Sequence, residues 1–258
     1  MRLDEEYCLS EYVDLGRLGD NEKVHIVRNQ VNGVIGVRKY VALDLEEIYL
    51  FLKENPNAYI PKIYECIQTD TNLIVIEEYL SGKNLEEMLK EKYFSEKDAA
   101  DIIICLCNAL YPLHHAKMPV ICKDLKAENV ILTNEGEVKL VDFDIARIYQ
   151  PGKSKDTVMM GTQGYAAPEQ FGFGQTDART DIYAMGVLLN YMLVREFPME
   201  KLTEGKFRTI VLKCIKINPE DRYQNVDELK ADICNAAEIP CSSMDSCLLY
   251  TSDAADDL

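Results

Sequence analysis

The residues able to do chemistry in this 258-residue chain are concentrated in one stretch. Ile121-Cys-Lys-Asp124-Leu-Lys126-Ala-Glu-Asn129 runs into the apolar Val130-Ile-Leu132. After Asn134-Glu-Gly136 a second apolar run, Val138-Lys-Leu-Val141, ends at Asp142-Phe143-Asp144. Asp124, Asn129 and Asp142 offer the carboxylate and amide oxygens that hard divalent cations prefer, and Lys126 adds a cation beside them. Gly161-Thr162-Gln-Gly-Tyr165-Ala-Ala167-Pro168-Glu169 follows. Far upstream, Lys39 lies 15 residues after Val24, with Gly33 at the turn between.

In this order the segments resemble the protein kinase signatures H-R-D-x-x-x-x-N, D-F-G and A-P-E. The chain is similar to eukaryotic-like Ser/Thr protein kinases of bacterial type over about residues 12–238. That resemblance implies ATP and Mg²⁺ as cofactors and a protein substrate with a Ser or Thr acceptor. Phosphoryl transfer needs positioning and charge neutralisation more than covalent chemistry. By the resemblance, Asn129 and Asp142 hold the metal, and Asp124 orients or accepts the proton of the acceptor hydroxyl. Lys126 balances charge developing on the transferred group. Lys39 holds the nucleotide phosphates and pairs with a helix glutamate, Glu47 or its neighbour Glu46. Glu47 is preferred because it puts Ile48, Leu50 and Phe51 at the family's apolar positions. The adenine ring is expected between Val24, Val37 and Ile131, with the Glu78 C=O and Leu80 N–H on its edge. Glu77 falls at the gatekeeper position, where apolar residues are commoner. Thr162 matches the threonine near the catalytic pair, Glu169 and Arg222 a buried ion pair, and Asp181 a brace of the catalytic loop.

The sequence departs from the family in three places. The glycine-loop positions read Arg17, Gly19 and Glu22, so only Gly19 allows the close backbone approach that phosphate binding uses. H-R-D reads Cys122-Lys123-Asp124, which keeps the charge but loses the bidentate guanidinium fork. D-F-G reads Asp142-Phe143-Asp144. These changes support a second reading, a pseudokinase acting as a binding or scaffolding module; a third, a small-molecule phosphotransferase of kinase-like fold, is opposed by the Gly161–Glu169 segment, which in the family shapes a peptide-docking surface. Ser154 and Thr157 are candidate phosphorylation sites.

The elements that must position these residues are legible in outline. Val24–Arg28 and Val34–Lys39, joined through Asn32-Gly33, read as a hairpin, and Leu73–Ile76 as a strand. Asp44–Glu54 reads as a helix ending before Pro56. Asn84, Ser95 and Asn225 are N-cap candidates. Ala99, Ile102, Ile103, Leu106, Leu110 and Leu113 form one buried helical stripe. Ile182–Leu193 reads as a helix buried all round. The expected fold class is α+β, a protein kinase-like bilobal fold. A small β-rich N-lobe with one helix (12–80) leads through a hinge (78–84) to a larger, mainly α-helical C-lobe (84–238), with 239–258 as a tail.

The formal charge of −16, from 28 Lys+Arg against 44 Asp+Glu, argues against nucleic-acid partners, because phosphates repel such a surface. It favours basic peptide partners. No membrane segment is expected, since the longest apolar run, Ile102–Cys107, is far short of a span. The acidic N-terminus lacks a signal core, and none of the nine cysteines forms a CxxC pair. A cytoplasmic chain with reduced thiols is expected. Residues 247–258 resemble the translated read-through of a sequencing-library adapter. Without their three aspartates the charge is −13 of the −16. Related bacterial kinases often continue into a linker, a membrane span and a sensor, so missing C-terminal domains and a membrane-anchored natural protein are also expected.

Overall fold

The computed structural model describes residues 3–19, 22–150, 161–172 and 174–240. The chain divides into two compact units, Met1–Ser81 and Gly82–Leu258.

The first unit begins with a helix, α1 (Leu3–Ser10), followed by β1 (Tyr12–Arg17), β2 (Val24–Asn29) and β3 (Ile35–Val41). The turn Leu43–Leu45 leads into α2 (Glu46–Glu54), and β4 (Ile63–Gln68) and β5 (Leu73–Glu78) complete the unit. The strands form one antiparallel sheet in the order β1-β2-β3-β5-β4. β5 lies between β3 and β4, and Leu73 to Ile76 are buried on both faces. The β2–β3 hairpin closes as its sequence suggests. The Asn29 side chain accepts the Val31 and Asn32 N–H groups, and Gly33 takes a φ of +76° that a side chain would oppose. Gly36 is needed for another reason: a Cβ there would lie 2.9 Å from the Glu77 carbonyl oxygen across the sheet. α1, β1 and β4 carry no strong period or cap, and their sequences alone did not announce them.

The second unit begins with β6 (Gly82–Asn84), α3 (Leu85–Glu91) and the long α4 (Glu96–His114). The short strands β7 (Val120–Ile121), β8 (Val130–Thr133), β9 (Val138–Leu140) and β10 (Arg147–Ile148) follow, then α5 (Ala178–Val194), α6 (Arg208–Cys214) and α7 (Val226–Ala237). β6-β8-β9 form one small sheet and β10-β7 another. Asn84, Ser95 and Asn225 all act as N-caps, accepting the N–H of Glu87, Asp98 and Glu228 respectively. The stripe expected on α4 is too narrow. Ile104, Cys105 and Cys107 are buried as well, because the helix packs against α5, α7 and β9 at once. α5 is buried along almost its whole length, as its apolar sequence predicts.

Among the described residues, no helix is long and apolar enough to cross a membrane. Six described cysteines are free, whereas Cys234 is disulfide-bonded, which corrects the expectation that all thiols are reduced. Ser154, Thr157 and the segment 247–258 lie outside the described residues.

Candidate active site

In the second unit the loop after β7 carries Asp124, Lys126 and Asn129, and a buried residue of α5 holds it in place. Asp181 accepts the backbone N–H of Cys122 at 2.9 Å and of Lys123 at 2.8 Å, and the His114 ring meets the same carboxylate at 2.8 Å. From the other side the Gln170 amide donates to the Lys123 carbonyl and accepts the Ala167 N–H. These bonds satisfy backbone groups that burial would otherwise leave orphaned. They hold Lys123 at a φ of +68°.

Asp124 is the centre of a closed polar group. Its Oδ1 accepts the Thr162 hydroxyl at 2.6 Å, and its Oδ2 accepts the Lys126 ammonium at 2.7 Å and the Asn129 amide at 3.1 Å. The Lys126 ammonium also donates to Thr162 Oγ1 at 3.0 Å. Asn129 Nδ2 donates further to the Asp124 carbonyl. The amide is thus oriented by its nitrogen, and its Oδ1 is the atom left for a cation. Asp142 follows β9, at a φ of +68°, and is brought beside Asn129 by the Val141 N–H bond to the Asn129 carbonyl. Its Oδ1 accepts the Asp144 N–H, which leaves Oδ2 available to a cation. Among the described residues no cluster of three or more His, Cys, Asp or Glu forms an all-protein metal cage. An oxygen pair of this kind fits Mg²⁺, which commonly takes one or two protein ligands and completes its shell with phosphate and water.

Beyond this group, Arg222 grips Glu169 through two bonds of 2.7 and 2.8 Å, and Thr180 donates to the same carboxylate. Both charged side chains are almost wholly buried, and Arg222 also donates to three backbone carbonyls. The Tyr165, Tyr191 and Phe197 rings form a cluster against Gly164, where a Cβ would lie 2.8 Å from the Phe197 ring. Cys122, at the position the family gives to histidine, is fully buried. Burial first, and then the Asp181 charge, push its thiol well above the ordinary range. Ile131, on β8, pairs with Lys139 and Asn84 in the small sheet.

In the first unit, Val24 faces Lys39 and Ile26 faces Val37 across β2 and β3, while Val37 faces Glu77 on β5. Lys39 Nζ meets Glu77 Oε1 at 2.5 Å, with both side chains largely buried. The expected partner, Glu47, is exposed. The reason is the phase of α2. Its buried residues are Ile48, Tyr49 and Leu52, and not Leu50 and Phe51, so Glu47 lies nearly opposite the packed face. Glu46 is half-buried, and its charge adds a little to the burial that raises the Cys66 thiol. The two non-glycine positions of the glycine loop pair with each other. Arg17 Nη1 and Glu22 Oε1 are 3.2 Å apart, both exposed. Gly19 has a φ of +68°, and among the described residues no atom beyond its chain neighbours lies within 4 Å of a Cβ built there. Glu78 ends β5 half-buried, with its N–H on the Lys62 carbonyl, and Leu80 follows outside any helix or strand.

The protein kinase domain profile matches residues 30–253. The chain is 31% identical over 192 residues to the probable serine/threonine-protein kinase PknB of Corynebacterium glutamicum, covering 62% of this chain and 29% of that protein. It is 28% identical over 272 aligned residues to the serine/threonine-protein kinase PknB of Mycobacterium tuberculosis, covering 90% of this chain and 43% of that protein. The chain therefore spans less than half the length of these relatives. A profile matched over most of the sequence, on a sheet-plus-helices fold that gathers Asp124, Lys126, Asn129 and Thr162 at one loop, settles the family: this chain belongs to the protein kinase domain family.

Proposed function

We propose that this chain transfers the γ-phosphoryl group of Mg-ATP to Ser or Thr hydroxyls of protein substrates. The observation that carries the reading is the group formed by Asp124, Lys126, Asn129 and Thr162. Asp124 orients the acceptor hydroxyl and takes its proton as the new P–O bond forms and the bond to the leaving β-phosphate oxygen breaks. Lys126 sits one hydrogen bond away, placed to neutralise charge growing on the phosphoryl oxygens. Thr162 holds Oδ1 while Lys126 and Asn129 hold Oδ2, so the plane of the carboxylate is fixed and the second lone pair of Oδ1 is left for the acceptor. When bound, Mg²⁺ neutralises phosphate charge; Asn129 Oδ1 and Asp142 Oδ2 are the atoms that would hold it.

Lys39 is the residue for the α- and β-phosphates, Val24, Val37 and Ile131 for the adenine faces, and Gly19, Glu78 and Leu80 for backbone contacts. The Arg17–Glu22 pair supports this assignment, because it neutralises the acidic residue that would otherwise oppose phosphate. The relatives named as serine/threonine-protein kinases support a protein acceptor.

The test is to incubate the chain with Mg²⁺, labelled ATP and a generic protein substrate, beside Asp124→Asn and Lys39→Met. Transfer above both variants, abolished by chelating Mg²⁺, is expected. Equal labelling in all three would overturn the proposal and leave the binding-module reading.

A further inference from the structure

Lys39 and Glu77 are diagonal neighbours on one face of the sheet. Val37 stands opposite Glu77, and Lys39 is two residues further along the same strand, opposite Val75. Diagonal positions are within reach of long side chains, and here the ammonium and carboxylate are 2.5 Å apart in a largely buried setting. The β3–β5 register that creates this contact is anchored by six consecutive residue pairs, and Gly36 lets the two backbones approach closely beside it. Neither residue belongs to α2, so a movement of that helix leaves the pair intact. Glu47, the helix carboxylate expected to hold Lys39, is exposed.

We infer that Glu77, on the sheet, is the positioning residue that holds Lys39 for nucleotide phosphates, in the place of a carboxylate on α2. The consequence is a phosphate lysine whose placement is built into the strand register and does not wait for a helix to swing inward. The inference rests on the kinase reading for the role of Lys39, but the pairing itself can be tested without phosphotransfer.

Two measurements on the full chain do so. The first is the rate at which an amine-reactive acylating reagent modifies Lys39 without nucleotide, mapped by mass spectrometry in wild type, Glu77→Gln, Glu46→Gln and Glu47→Gln. A held ammonium acylates slowly, and Glu77→Gln is expected to speed Lys39 modification about tenfold, well beyond either helix variant. An unchanged rate in Glu77→Gln, or an equal gain in Glu46→Gln or Glu47→Gln, overturns the inference. Circular dichroism checks that each variant is folded. Should Glu77→Gln not fold, Glu77→Asp decides, since it keeps the charge but shortens the reach: a rate about threefold faster supports the pair and an unchanged rate overturns it. The second measurement is the split between KM and kcat. Glu77→Gln should raise KM for ATP about tenfold with a smaller fall in kcat, while the exposed Glu54→Gln leaves both as they are. A wild-type chain that transfers no phosphate defeats the kinase reading, yet leaves the acylation result to stand or fall alone.

Discussion

The Thr162 hydroxyl donates to Asp124 Oδ1 at 2.6 Å, across 38 residues of sequence, and its oxygen receives the Lys126 ammonium. One side chain therefore fixes both the aspartate and the lysine. Thr162→Val keeps the shape and removes both bonds, so Asp124 can turn away from the acceptor. We expect kcat to fall about 10- to 100-fold with little change in KM for ATP, and Thr162→Ser to restore most of it. Steady-state kinetics on the three proteins checks this. A valine variant with wild-type kcat would show that the hydroxyl plays no positioning part.

Glu169 and Arg222 are a buried pair whose value shows when one partner is removed. Breaking it strands the other charge, while Arg222 still satisfies three carbonyls. Glu169→Ala is expected to cost about 3–5 kcal/mol of unfolding free energy. Urea denaturation followed by circular dichroism would register it. A loss below about 1 kcal/mol, the range of a surface pair, would contradict the burial argument.

Three buried thiols and the half-buried Cys66 set a limit on stability at high pH. From an ordinary 9.0, burial pushes Cys66 up to about 11 and Cys107 up to about 12, and it pushes Cys122 and Cys214 up as well. In each case the folded value lies above the unfolded one. The unfolded chain therefore loses these protons first as pH rises. The stabilisation is complete below pH 9.0 and is lost progressively above it, through about 11 for Cys66 and about 12 for Cys107. Urea midpoints should be level between pH 7 and 8.5 and fall steadily at pH 10 and 11. Replacing Cys107 and Cys214 with alanine should flatten that fall. A profile that is level to pH 11 in the wild type would refute the linkage.

Gly186 separates helix propensity from packing. Alanine is favoured over glycine within a helix by about 1 kcal/mol. At this point of α5 a Cβ would lie 2.2 Å from the Cys214 Cβ on α6, so the two helices would have to part. Overpacking of a filled core costs about 1–3 kcal/mol, and the clash should win. Gly186→Ala is expected to lower the melting temperature. Gly186→Ala combined with Cys214→Gly should recover stability relative to Gly186→Ala alone, and failure to recover would place the strain elsewhere.

Local rules made much of this protein readable before folding. Asn84, Ser95 and Asn225 announce helix starts because a side chain three residues from its bonded N–H is a local arrangement. The Asp124-to-Asn129 spacing and the Asp142 segment likewise belong to one loop and one hairpin, so their residues meet by short-range geometry. α1, β1 and β4 were not legible, since short elements with weak periods depend on the neighbours that receive them. The all-round burial of α4 is of the same kind: three partners converge on one helix, and a single stripe cannot reveal that. The partner of Lys39 is the clearest case. Glu46, Glu47 and Glu77 are all glutamates within reach along the chain, and residue type cannot rank them. The phase of α2 turns Glu47 outward, while the β3–β5 register sets Glu77 diagonally beside the lysine. Both depend on long-range pairing, which exists only in the folded sheet. The sequence alone determined which side chains could serve the chemistry; the tertiary structure decided which carboxylate the lysine meets.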